Sequence, residues 1–186
     1  MHNRNRTFTA AAILTAFIAA VAIADTFTGR LLILPQWTHS KTVGASTVAE
    51  TFATLLDWTH TSGTGTNQMN VIISESVSLT NAESRTIDLA GGVTDSFGDV
   101  TTFTTVRFLC LVADEDNADP VIMGASGEDA WATWCGDTNH TVTIRPGGIL
   151  LLTAPDSGYT IADSKLKVSH GGAGTNSYLL YIGGAE

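Results

Sequence analysis

The chain has 186 residues and a formal net charge of −9, from nine Lys+Arg against eighteen Asp+Glu. No basic run exists beyond Arg4 and Arg6, so the electrostatic footprint of a nucleic-acid-binding surface is missing and direct binding to DNA or RNA is not expected. Charged residues make up only 15% of the chain, and Thr, Ser, Gly and Ala fill the surface positions, which favours an extracellular or assembled β-protein.

Met1 to Arg6 carries two arginines, Thr7 to Ala24 carries no charge, and Ala22-Ile23-Ala24 sets small residues before Asp25. Those are the three parts of a secretory signal. The alternatives are a short membrane-spanning helix, since about eighteen uncharged residues reach the lower limit of a bilayer span, or an alanine-rich helix buried between subunits. The expected organisation is therefore an apolar helical arm, signal or anchor over residues 1–25, a linking strand and helix region over 26–68, and a β-sandwich domain over 69–186.

Thr26 to Leu34 reads as a strand ending at Pro35. Thr47-Val48-Ala49-Glu50 has capping-box spacing, and Val48, Phe52, Leu55 and Leu56 recur at helical intervals, so a short helix to Trp58 is one reading. A strand is the other, because Thr51, Phe52, Thr54 and Trp58 suit β-structure equally. Thr59–Gln68 reads as a loop. Val71–Leu79 is expected as a strand whose inward row, Val71, Ile73, Val77 and Leu79, is interrupted by Glu75, and Arg85–Leu89 follows with Ile87 and Leu89 inward. Phe97 is expected to plug the connection after it. Phe103–Val112 reads as the longest strand and a central one, with Val106, Phe108, Cys110 and Val112 on one face.

Thr141–Ile144, the turn Arg145-Pro146-Gly147-Gly148, and the apolar run Ile149–Leu152 form the next unit, the run fitting a strand covered on both faces. Lys165-Leu166-Lys167-Val168 alternates, and Tyr178–Ile182 follows the glycines at 171, 172 and 174. About eight or nine short strands punctuated by turns predict an all-β fold: an antiparallel β-sandwich, jelly-roll-like, with the apolar N-terminal arm in front.

Few residues suggest chemistry. Asp114, Asp116 and Asp119 form an acidic loop that is a candidate calcium site, although Ala118 takes a liganding place and no EF-hand glycine follows. Apart from calcium no cofactor is implied. Cys110 and Cys135 match no zinc spacing, which leaves a disulfide and two free thiols as open alternatives. His170-Gly171-Gly172 is reminiscent of an oxyanion loop, but no Gly-x-Ser-x-Gly elbow accompanies it. His39, His60, His140 and His170 have no metal-binding spacing, and Asn139-His140-Thr141 is a glycosylation sequon. Trp37, Trp58, Trp131 and Trp134 suit either packing or a sugar-binding platform.

Ile87-Asp88-Leu89-Ala90-Gly91-Gly92-Val93-Thr94-Asp95-Ser96-Phe97-Gly98, then Val106-Arg107-Phe108-Leu109 and the run from Val142 to Leu152, resemble small tailed-phage virion structural proteins. Gly158-Tyr159, Ala162-Asp163, Leu166-Lys167-Val168 and Leu179-Leu180-Tyr181-Ile182-Gly183 follow in the same order, so the resemblance covers about residues 69–186. It implies a β-sandwich virion component without an enzymatic role, and no site residues carry over. The expected function is that of a capsid accessory or decoration subunit located in the virion, partnered by copies of itself and by other virion proteins, with membrane contact reserved for residues 1–25. The alternative is a secreted or surface-anchored glycan-binding module.

Overall fold

The computed structural model describes residues 28–33, 36–43, 46–53, 55–95, 97–125, 127 and 129–186, and their regular structure is all β-strand in antiparallel sheets, apart from short parallel contacts. The arm expected over Thr7–Ala24 lies outside the described residues. Among the described residues no helix is long and apolar enough to cross a membrane.

The first part of the chain is a hairpin ribbon. β1 (Thr28–Ile33) pairs with β4 (Leu56–Ser62), and β2 (Gln36–Val43) pairs with β3 (Ser46–Ala53). The first pair runs from Thr28 opposite Thr61 to Ile33 opposite Leu56, and the second from Gln36 opposite Ala53 to Val43 opposite Ser46, each without a slip. Of the two readings of the segment to Trp58, the strand is the one found, in β3 and β4, and the helix is not formed. A cross-strand partner at nearly every position satisfies the backbone in the extended state, and this outweighs a helical period read from one short window. The expected loop is also shorter, because β4 extends to Ser62 and runs briefly parallel to β5 (Gln68–Met69).

The rest of the chain builds a body. Its strands are β6 (Val71–Thr80), β7 (Ser84–Asp88), β8 (Val93–Thr94), β9 (Val100–Thr101), β10 (Thr105–Ala113) and β11 (Val121–Gly124). They are followed by β12 (Thr141–Ile144), β13 (Ile149–Thr153), β14 (Tyr159–Thr160), β15 (Lys165–His170) and β16 (Thr175–Ala185). One sheet has the order β13-β10-β16-β6, with β14 also on β10, and a second has the order β12-β11-β15-β7. Inward residues of both sheets form a single core, including Leu109, Leu111, Leu180 and Ile182 from the first and Val121, Met123, Leu166 and Val168 from the second. All eight are at most 1% exposed.

The inward alternation expected for β6, β7 and β15 is found, with Ile73, Ile87, Leu89, Leu166 and Val168 buried. Glu75, which interrupts the row on β6, has a partner in the opposite sheet: its carboxylate accepts from the Arg85 guanidinium of β7 at 3.0 Å. The two charges bridge the sheets at the open edge beside buried Tyr178, whose hydroxyl pKa is raised by burial.

Three expectations are corrected. β10 is not the longest strand, since β16 has 11 residues and β6 has 10 against its 9. Its faces also change partway along, because a bulge falls between Val106 and Phe108, leaving Arg107 without a place in the ladder. Val106 is thereby in the core with Leu109, Leu111 and Ala113, while Phe108, Cys110 and Val112 lie on the other side. Opposite the bulge stand Gly183 and Gly184, and at Gly184 a Cβ would overlap the Thr105 carbonyl and lie 2.9 Å from the Phe103 ring. The third correction concerns Phe97, which is 75% exposed rather than a plug. The Asp95 carboxylate accepts the N–H groups of Phe97 and Asp99, closing the β8–β9 loop on itself, and the buried ring in this region is that of Phe103.

Candidate functional site

The acidic loop is fastened to β16 by two asparagines that sequence reasoning missed. Asn117 donates from Nδ2 to the Ser177 carbonyl (2.9 Å) and accepts the Ser177 N–H (2.6 Å), imitating a strand pair. Fully buried Asn176 donates to the Asp119 carbonyl at 2.7 Å. The carboxylates serve backbone groups separately: Asp114 accepts the Asp116 N–H (2.9 Å) and Asp119 accepts the Ala173 N–H (3.0 Å). Asp114, Asp116 and Asp119 are not brought together as a calcium cage, and among the described residues no group of three or more His, Cys, Asp or Glu is placed to hold a metal.

Cys110 and Cys135 are both free thiols in this structure. Cys110 is on the outward side of β10, where partial burial raises its pKa, while Cys135 lies in the connection between β11 and β12.

His170 accepts the Gly172 N–H on Nδ1 at 2.8 Å, and its Nε2 is buried without a partner. The ring is thus a brace for its own glycine turn. Trp131 is buried with its indole N–H donated to the Thr160 carbonyl, and partly buried Trp134 donates to the Trp131 carbonyl; the two indoles are tilted by 46° and Tyr159 meets Trp131 in a T-shaped contact, so the rings do not form one flat platform.

A different feature is the outward face of the five-stranded sheet. The register places Cys110 between Leu151 and Tyr181, and Val112 between Ile149 and Leu179. Ile149 is 66% exposed and Leu179 is 41% exposed. This overturns the expectation that Ile149–Leu152 is covered on both faces: Leu150 and Leu152 pack against the core, whereas Ile149 and Leu151 are apolar on the outside. Toward the β6 edge the face continues with Ser74, Ser76 and Ser78, and Ser78 and Ser177 share a hydrogen bond at 3.1 Å. No position on this face carries a charge, from Ile72 on β6 to Thr153 on β13.

At one end the face meets the root of the ribbon. Arg107, 5% exposed, turns its guanidinium onto the carbonyls of Thr64, Gly65 and Gln68, clamping the loop between β4 and β5. Burial lowers its pKa from an ordinary value far above neutrality. His60, 3% exposed on β4, sits within reach of that charge. Burial first, and Arg107 second, lower its pKa, against a hydrogen bond to the Asn67 carbonyl. Neither residue was singled out as functional by its sequence context, and Arg107 is the one that fastens the loop after β4 to the body.

No protein-family model and no curated protein matches this chain, so its functional reading rests on these surfaces.

Proposed function

We propose that this chain is a non-enzymatic structural subunit of a virion, of the capsid accessory or decoration kind, folded as a jelly-roll-like β-sandwich and associating with copies of itself and with other virion proteins. The strand order supports the fold reading. The pairs β6–β16, β7–β15, β10–β13 and β11–β12 nest one inside another along the chain, as one long hairpin does when wrapped round a core. That architecture is used by viral capsid domains and by lectins.

The observation that carries the functional reading is the uncharged outward face in a chain of net charge −9. An acidic domain that worked alone would gain solubility by placing charge there, and apolar surface of this kind marks a protein–protein contact. Trp131 is buried and Trp134 is partly buried and tilted against it, so these two rings give the glycan-binding alternative no flat platform.

The test is intact mass together with particle size on material from the native source. Recovery of the chain in large particles, in fixed proportion to the other virion proteins, is the expected result. A free monomer absent from particles would overturn the assignment.

A further inference from the structure

β6 is an edge of the five-stranded sheet, since among the described residues it pairs only with β16. One bond tells which of its backbone groups face the open side. The Asn81 N–H donates to the Gly174 carbonyl at 2.8 Å and continues the β6–β16 register, so the hydrogen-bonded pairs fall at the odd positions of β6. The N–H and C=O groups of the even positions therefore point away from the sheet. At Thr80 both are used in the turn that follows, the N–H by the Glu83 carboxylate at 2.7 Å and the carbonyl by the Glu83 N–H at 2.9 Å. Those of Ser74, Ser76 and Ser78 have no partner among the described residues.

An edge of this kind is a template for another strand, and sheets commonly blunt it with proline, lysine, a bulge or a very short strand. β6 has none of these: it runs for 10 residues without Pro or Lys, in unbroken register with β16. Its one charge, Glu75, is met within the subunit by Arg85 at 3.0 Å. The occupant that fits is a second β6. Ser74, Ser76 and Ser78 are exposed, small and uncharged, so two copies approach here without setting carboxylates against each other, even in a chain of net charge −9. Glu75 selects the register. A two-fold axis at Glu75 brings two carboxylates face to face, whereas an axis at Ser76 uses all three serines and sets each Glu75 opposite Val77 of the partner subunit.

We propose that two copies join edge to edge through β6, antiparallel about a two-fold axis at Ser76. Ser74 then pairs with Ser78 of the partner subunit and Ser76 with Ser76 of the partner subunit, every pair exchanging both its N–H···O bonds. The two five-stranded sheets become one, and their uncharged outward faces run on across the joint. This deepens the proposed function and rests on its self-association, naming the contact and its symmetry.

The experiment measures the size of the full-length chain by light scattering for the wild type, Ser76→Pro and Ser76→Ala. Proline removes an N–H that the subunit itself does not use, so circular dichroism is expected to show an intact fold. The wild type is expected to be a dimer or larger, Ser76→Pro to weaken association at least about tenfold, and Ser76→Ala, which keeps the backbone, to leave it nearly unchanged. A second reading decides the matter if proline is not accommodated. In a chain carrying Cys110→Ser and Cys135→Ser, Ser76→Cys is expected to cross-link two subunits on oxidation, because the paired Cα atoms stand about 5.5 Å apart, within disulfide reach. Ser78→Cys is expected not to cross-link. A monomeric wild type without the Ser76→Cys cross-link would overturn both the pairing and the self-association behind the proposed function. An oligomer indifferent to Ser76→Pro and without that cross-link would overturn the edge pairing alone. Cross-linking through position 78 rather than 76 would overturn the register and the proposal with it.

Discussion

The ribbon and the body are made of the same material, antiparallel strands in which apolar residues alternate with polar ones, and they use it in opposite ways. In the body the inward rows of two sheets cover each other, so that Leu109 and Leu111 on one side and Val121 and Met123 on the other are all fully buried. In the ribbon the strands pair with each other and, through β4, with the short β5, and Leu55 and Leu56 remain 58% and 40% exposed. Alternation thus marks a face that water penalises, without naming what covers it.

Truncating the core tests the body's half of this contrast with the largest expected effect. Leu109→Ala removes a fully buried side chain between two layers and is expected to cost about 2–5 kcal/mol, read as a lower urea midpoint. Leu56→Ala on the ribbon should leave that midpoint nearly unchanged. Equal losses at both sites would show that the ribbon is already covered within one subunit.

The junction comes next. Arg107→Met takes the donor from three carbonyls of the loop after β4, at an expected cost of roughly 2–3 kcal/mol. Hydrogen exchange is expected to quicken over residues 56–69 while the amides shared by β10 and β16 stay protected. Uniform quickening through the body would mean that the clamp belongs to the core instead.

The smallest effect is one of pH. His60 stays neutral in the folded chain below the pH at which the unfolded chain, with the ordinary value of 6.5, takes up a proton. Its contribution to stability is therefore complete above pH 6.5 and declines as the pH falls from there toward the depressed folded value. His60→Gln should flatten this part of the pH–stability curve. An unchanged slope would assign the acid sensitivity to other groups.

Much of the body is legible in the sequence, because each inward row is written with a period of two between clear turns. Ile87 and Leu89, or Leu166 and Val168 between lysines, need no knowledge of distant partners. The faces of β10 are not legible this way. One extra residue at Arg107 exchanges them, and the signal lies 76 positions away in Gly183, where the pairing strand gives the backbone room. The ribbon is hidden for a different reason: a window around Phe52 fits two periods, and only the mirrored order of Leu31, Ile33 and Trp37 with Phe52, Leu56 and Trp58 distinguishes them. The outward face is misread from Ile149–Leu152, since an unbroken apolar run looks the same whether its second side meets a layer of the same chain or none. The acidic loop shows the converse limit, in that the sequence displays Asp114 and Asp119 but conceals the asparagines that commit the loop to β16.

The closing of β6 against β16 also imposes an order in time. Val71 pairs with Gly184, so the first strand of the body waits for the last to leave the ribosome, whereas the ribbon, from Thr28 to Thr61, can zip locally as soon as it emerges. The face formed by β10, β16 and β6 side by side does not exist until that final insertion.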